Sequence, residues 1–233
     1  MIDIRGFIET SLIDWDGKIS SVIFLAGCNL RCAFCHNYPL VFESEKLKKF
    51  DLSHVKKYLL EHKGWIDGVV VSGGEPTIYV ELEPLIKEIK ETGFLVKLDT
   101  NGTNPKMLAS LAGKNLLDFI AMDVKGPLNE KYAKIAGCKV CLDDIGKSIG
   151  FIKNSGIDYE FRTTVVPGLL DLEDIKEMAK ALSGAKKLVL QQFERENAMD
   201  ERLRTIKPYQ KEELIKMVEA ARQFVPNTIL RGE

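Results

Sequence analysis

The sequence has no long apolar run. Nowhere does it approach the roughly 18 consecutive apolar residues that a membrane-spanning helix needs. Its opening residues, Met1-Ile2-Asp3-Ile4-Arg5-Gly6, carry an acid and lack the apolar core of a signal peptide. No membrane partner is therefore expected, and the protein is expected to be cytoplasmic. Charge of one sign is not in excess either. Its 33 lysines and arginines against 34 aspartates and glutamates leave a formal net charge of −1, so nucleic acid is not an expected partner. Linkers, repeats and low-complexity stretches are missing too, and residues 1–233 read as a single domain.

A disulfide framework is also absent. Secreted disulfide proteins use spread, even-numbered cysteines; here there are five, and three of them, Cys28, Cys32 and Cys35, fall within eight residues. Close-set cysteines in a reducing compartment point to metal.

What the chain does have is the balance of a globular protein, 45% hydrophobic and 29% charged residues, and enough length to bury a sizeable core. Periodicity gives a strand-then-helix rhythm. Strands are expected at 20–26, 68–72, 94–98, 117–122, 159–166 and 187–193, and helices at 51–63, around 82–89, after Pro105, and at 141–154, 172–182 and 208–224. A last extended piece covers 228–230. Six βα units in series imply a parallel sheet with right-handed crossovers and helices outside. A closed barrel would need eight units. The expected fold class is α/β, a partial (β/α)6 TIM-like barrel, with a flat doubly wound sheet as the competing arrangement.

The unusual residues follow the carboxyl ends of successive strands: the cysteine loop, Gly73-Gly74-Glu75-Pro76, Asp99-Thr100-Asn101-Gly102 and Asp123-Val124-Lys125. Parallel α/β folds place ligands at that edge. Cys28-Asn29-Leu30-Arg31-Cys32-Ala33-Phe34-Cys35 has the spacing C-x3-C-x2-C, and three soft thiolates can hold three corners of an iron–sulfur cubane, leaving one iron open. A structural zinc site completed by His36 is the alternative, although adjacent side chains in an extended loop point apart.

The C-x3-C-x2-C spacing, within Gly27-Cys-Asn-Leu-Arg-Cys-Ala-Phe-Cys-His-Asn37, resembles the radical S-adenosylmethionine (SAM) superfamily and, within it, the activating enzymes of glycyl radical enzymes. The opening Gly6-Phe7-Ile8-Glu9-Thr10-Ser11-Leu12-Ile13-Asp14 is similar to the start of the anaerobic ribonucleotide reductase activating proteins. The resemblance implies a [4Fe–4S] cluster on Cys28, Cys32 and Cys35, with SAM chelating the open iron. Gly73, Gly74 and Glu75 then resemble the family's GGEP segment, which holds the SAM amino group; a plain Gly/Pro turn would look alike. Asp99 matches a segment that binds a cation beside SAM, where an Asx turn is the alternative. Asp123 and Lys125 resemble the D-x-K segment near the ribose and carboxylate, with an exposed ion pair as the alternative, and Arg162 matches a fifth-strand arginine, with a buried structural salt bridge as the alternative. Phe34 and His36 would lie against the adenine.

The activity so implied is reductive cleavage of SAM to a 5′-deoxyadenosyl radical, which takes a hydrogen atom from a glycine of a glycyl radical enzyme. A low-potential donor such as flavodoxin or ferredoxin would supply the electron. Little chain beyond the sixth βα unit is expected to cap the mouth, which suits a protein substrate, and no second cysteine-rich insert follows. One departure stands out: pyruvate formate-lyase activating enzymes carry a SAM-contacting histidine where this chain reads Leu190-Gln191-Gln192-Phe193. That favours anaerobic ribonucleoside-triphosphate reductase as the partner, with Gln191 or Gln192 as a substitute contact. A radical SAM enzyme acting on a small molecule and a non-enzymatic iron–sulfur carrier are the rival readings. Cys138 and Cys141 read as ordinary small residues near a helix start, with a redox pair or an intersubunit metal site as alternatives; His54 and His62 read as solvent-facing.

Overall fold

The computed structural model of the chain describes residues 2–232. Eight strands form one sheet: β1 (Ile4–Ser11), β2 (Ser20–Leu25), β3 (Gly68–Gly73), β4 (Leu95–Thr100), β5 (Phe119–Asp123), β6 (Asp158–Val165), β7 (Leu188–Gln192) and β8 (Thr228–Arg231). Their order in the sheet is β1-β2-β3-β4-β5-β6-β7-β8, the order of the chain. A doubly wound sheet reverses direction at a switch point; this one never does. The winding is the one expected of an open partial barrel, and the competing arrangement drops out.

The parallel strands fall where periodicity puts them. The antiparallel first strand does not announce itself in the sequence, because register shifts between Ile4 and Gly6 and between Ile8 and Ser11 break its alternation. Helices α1 (Tyr38–Phe42) and α5 (Glu130–Ala136) are also additions; they are too short to show a period. The others are α2 (Leu52–Glu61), α3 (Leu82–Lys90), α4 (Pro105–Gly113), α6 (Leu142–Asn154), α7 (Leu172–Ala181) and α8 (Lys211–Arg222). No helix among the described residues is long and apolar enough to cross a membrane.

The chain divides into two compact units built from interleaved segments. The first comprises Met1–Asn29, Asn37–Thr100 and Asn104–Ile120. Its strands bring Val22 opposite Val70 and Val70 opposite Lys97, and Trp15 packs against Val22 and Val70 with Phe24, Leu95 and Phe119 around them. Lys97 is an unexpected member of this interior, being only 2% exposed. A buried ammonium needs partners. It finds them in the Asp14 carbonyl, the Asp99 carboxylate at 3.5 Å and the face of Phe119 at 5.6 Å. At the C-terminal cap of the 52–61 helix, His62 corrects the solvent-facing expectation: its ring stacks on Tyr58 at 4.0 Å and Nδ1 lies 2.8 Å from the Tyr58 carbonyl. His54 is exposed, as expected.

The second unit comprises Leu30–His36, Asn101–Thr103 and Ala121–Glu233. Helix α6 buries Ile145, Ile149 and Ile152, and α8 buries Leu214, Met217, Val218 and Ala221. Asp171 starts α7 with a capping box, accepting from the Glu173 and Asp174 amides. The short β8 is held at the sheet edge by more than its ladder. Arg231 grips Glu160 with two hydrogen bonds at 2.9 and 3.1 Å, and Lys187 lies 3.2 Å from the same buried carboxylate.

Candidate functional site

The first unit contributes a backbone cradle. After β3 the chain turns through Gly73 at φ +129°, a conformation that L side chains rarely adopt. The Gly74 amide donates to the Leu25 carbonyl and the Glu75 amide to the Gly27 carbonyl, each at 2.9 Å. A Cβ on Gly74 would lie 1.8 Å from the Gly27 oxygen and 3.2 Å from the Cys28 Cβ. The glycines therefore let the turn lie directly along the start of the cysteine loop. Asn37, just beyond that loop, donates its side-chain amide to the Gly73 carbonyl at 3.1 Å.

Glu75 is almost wholly buried. Its Oε1 accepts from the Thr77 amide at 3.0 Å, the Thr77 hydroxyl at 2.5 Å and the Thr100 hydroxyl at 2.7 Å. The carboxylate thus clasps the turn to the end of β4. Asp99 accepts from the Ser72 hydroxyl at 3.2 Å and pairs with Lys97, so the protein itself supplies the positive charge beside it. The Asx turn of this segment is real and belongs to Asn101, whose Oδ1 accepts from the amide and hydroxyl of Thr103 at 3.0 and 2.7 Å.

The second unit contributes charge. The Arg162 Nε donates to Asp123 Oδ1 at 2.9 Å, and the Lys125 ammonium lies 3.4 Å from Asp123 Oδ2. Burial opposes a charge on Asp123, yet Arg162 and Lys125 hold its pKa down at about 2. Burial likewise opposes the charge on Lys125, but Asp123 and, to a smaller degree, Cys32 and Cys35 push its pKa up. The Lys125 amide donates to the hydroxyl of fully buried Tyr132, whose pKa burial raises to about 12. Two cations on one carboxylate leave this cluster with a net positive charge, suited to a ligand carboxylate. Lys125 also lies 5.9 Å above the buried Phe34 ring.

The cysteine loop spans both units in sequence. Cys28 belongs to the first, Cys32 and Cys35 to the second, and all three are thiols outside any disulfide. Cys32 is buried, its Sγ donating to the Ala136 carbonyl at 3.8 Å, and the Arg31 amide donates to that same oxygen at 2.8 Å. The Cys35 amide closes a turn onto the Cys32 carbonyl at 3.0 Å. Among the described residues no three Cys, His, Asp or Glu side chains converge on a single-ion site. The thiolates of a cubane bind separate irons. The soft donor set and the glycine cradle beside Cys28 fit an iron–sulfur cluster with a ligand against it.

His36 does not stand apart as a fourth metal ligand. Its Nε2 is 2.8 Å from the Glu194 carbonyl and its ring lies 6.4 Å from that of Phe193. The Asp200 amide donates to the Ala33 carbonyl at 2.9 Å. Residues 193–200, after β7, therefore strap the cysteine loop from Ala33 to His36. The strap lies inside the sixth βα unit, between β7 and α8. The two glutamines also separate: Gln192 gives its side-chain amide to the Tyr209 carbonyl at 2.9 Å, while Gln191 is paired in register with Thr164 and Arg231.

The chain as a whole is similar to known proteins. The Radical SAM superfamily matches residues 22–182, and the chain belongs to that superfamily. A protein of Methanocaldococcus jannaschii named as a glycyl-radical enzyme activating enzyme is 33% identical over 98% of this chain and 95% of its own length. The pyruvate formate-lyase-activating enzyme of Clostridium pasteurianum is 29% identical over 92% of this chain and 94% of its own. Among solved structures, Streptococcus suis SuiB bound to precursor peptide SuiA superposes with a TM-score of 0.71 at 17% identity, over 91% of this chain. The chain spans about half of SuiB, 48%, and that likeness concerns the fold alone.

Sequence reasoning missed Lys97, the Thr77–Glu75–Thr100 clasp, Tyr132 and the strap. Only Lys97 left a signal, a lysine within the apolar run from Phe94 to Leu98. The others depend on contacts between residues far apart in the chain.

Proposed function

We propose that the protein is a radical SAM activase that generates a glycyl radical in a partner enzyme. Cys28, Cys32 and Cys35 would hold a [4Fe–4S] cluster. Gly73 and Gly74 would leave room for the SAM methionyl group against the cluster, with the Gly73 carbonyl as acceptor for its ammonium. Lys125 and Arg162, positioned by Asp123, would take the carboxylate, and Phe34 and His36 would line the adenine side. Glu75 and Asp99 would act by shaping this cradle, through the threonines and Lys97. When bound, the cluster and SAM supply one-electron cleavage of the sulfonium and hydrogen-atom abstraction. The side chains named here bind, orient and exclude water.

The observation that carries the reading is the C-x3-C-x2-C loop packed on a side-chain-intolerant Gly73-Gly74 turn, in a chain aligned almost end to end with a relative named as such an activating enzyme. The preferred partner is anaerobic ribonucleoside-triphosphate reductase, supported by the lack of a histidine in Leu190-Gln191-Gln192-Phe193, and the electron would come from a flavodoxin or ferredoxin. The test is anaerobic incubation of reconstituted, reduced protein with SAM and candidate glycyl radical enzymes. A glycyl doublet in the EPR spectrum of the reductase, with 5′-deoxyadenosine formed, is the expected result. SAM cleavage stimulated by a small metabolite, with no protein radical in any partner, would transfer the assignment to a small-molecule radical enzyme.

A further inference from the structure

The function proposed above gives Cys138 and Cys141 no role. They lie in the short connection from α5 to α6, in Gly137-Cys138-Lys139-Val140-Cys141. Cys138 is half-buried and Cys141 exposed, and both are thiols. The spacing is C-x2-C, that of a thiol pair able to close on itself. The left-handed Gly137 at φ +69° and the bend at Cys138 lie ahead of the connecting residues, and Cys141 is extended at φ −80°, ψ 102°, so closing the pair requires the 138–141 connection to fold and pulls on the segment that begins at Ala136.

The start of this segment is in direct contact with the cysteine loop. Ala136, two residues before Cys138, presents the carbonyl that accepts both the Arg31 amide and the Cys32 thiol. A Cβ on Gly137 would lie 2.0 Å from the Arg31 oxygen, so the two backbones touch with no side chain between them. A change of conformation between 137 and 141 reaches Cys32 through a single residue.

We propose that Cys138 and Cys141 form a second thiol site, a redox-active dithiol that closes to a disulfide by exchange with a low-molecular-weight disulfide and thereby loosens the Ala136 support of the cysteine loop. The exposed Cys141 thiolate attacks the small disulfide, forming a mixed disulfide and releasing one thiolate. The Cys138 thiolate then attacks the Cys141 sulfur, releasing the second. The protein loses two electrons and two protons, and one small disulfide becomes two thiols. Nothing in this chemistry uses the cluster or SAM.

The test uses the full chain, both unreconstituted and reconstituted with iron and sulfide, titrated anaerobically with oxidised glutathione. Remaining thiols are then alkylated and the protein is cut with trypsin. Cleavage at Lys134, Lys139 and Lys147 places the two cysteines on different peptides, so an internal disulfide appears as a linked pair, 135–139 joined to 140–147. The expected result is this linked pair in both preparations, and in Cys138→Ser a mixed disulfide that persists on Cys141. Hydrogen exchange at the Arg31 amide should speed up several-fold on closure in the wild-type chain and stay unchanged in Cys138→Ser. Alkylated Cys138 and Cys141 after titration, or mixed disulfides that never resolve in the wild type, would overturn the dithiol. A linked pair with unaltered Arg31 exchange would overturn its coupling to the loop. Because the unreconstituted chain reads the linkage by itself, failure of the radical assignment leaves this result interpretable.

Discussion

The two units hold their candidate residues by different means. The first does so with backbone: Gly73 and Gly74 run so close to Leu25 and Gly27 that a methyl group would meet a carbonyl oxygen, and Glu75 locks the turn through two threonines. The second does so with charge: Asp123 is shared by Arg162 and Lys125 in a half-buried cluster that keeps one cation in excess. A backbone cradle is specific in shape and fails sharply when a side chain is added. A charge cluster tolerates changes of shape but fails when one partner is neutralised.

The sharpest way to break the comparison is Gly74→Ala. The added Cβ meets a backbone oxygen at 1.8 Å, so the loss should exceed about 3 kcal/mol, measured by urea unfolding. In the charge cluster, Asp123→Asn should cost about 3 kcal/mol at pH 7, because Arg162 and Lys125 lose their anion. That difference should vary with pH. The Asp123 pKa in the folded protein, about 2, is below the ordinary value of about 3.9. Its contribution is therefore fully present above about pH 4 and lost as pH falls from about 4 to about 2. The gap between wild type and Asp123→Asn should narrow across that window and no other. A gap that widened on acidification would contradict the assignment of charge.

Glu75→Ala should have a smaller effect, about 2 kcal/mol, by leaving the Thr77 amide and the Thr77 and Thr100 hydroxyls without their shared acceptor. Thermal unfolding would measure it. Gly146→Ala sharpens the contrast from the other side. Nothing lies within 4 Å of a Cβ there, in the body of α6, so the substitution should stabilise by about 0.5–1 kcal/mol. Equal costs for alanine at 74 and 146 would remove the basis for treating the first as a cradle.

Much of this was legible in the sequence, for stated reasons. The parallel strands are apolar runs bounded by glycine and proline, and Val69-Val70-Val71 and Leu188-Val189-Leu190 are fully buried. The polar segments that end them stand out by contrast, which is how the cysteine loop, Gly73-Gly74-Glu75 and Asp123-Val124-Lys125 come into view together. The edge strand β1 stays hidden because its bulges destroy the alternation. The use made of Glu75 also stays hidden. A carboxylate in a turn looks like a ligand acceptor until Thr100, 25 residues away, is seen donating to it. The buried Lys97 depends in the same way on Asp14, 83 residues earlier. The strap at 193–200 has no periodicity at all, and only its hydrogen bonds to Ala33 and His36 reveal it.

The central claim is that Cys28, Cys32 and Cys35 hold a cluster against which SAM binds, and one measurement tests it most directly. The protein is reconstituted with iron and sulfide without oxygen and reduced. EPR spectra are then recorded before and after adding SAM, with 5′-deoxyadenosine assayed in the same tube, for the wild type and for a Cys138→Ser/Cys141→Ser variant. The account predicts a reduced [4Fe–4S] signal that shifts on SAM addition, with 5′-deoxyadenosine formed, in both proteins, and its loss in Cys28→Ser, Cys32→Ser or Cys35→Ser. A cluster signal indifferent to SAM, with no 5′-deoxyadenosine, would contradict the account and leave an iron–sulfur carrier in its place.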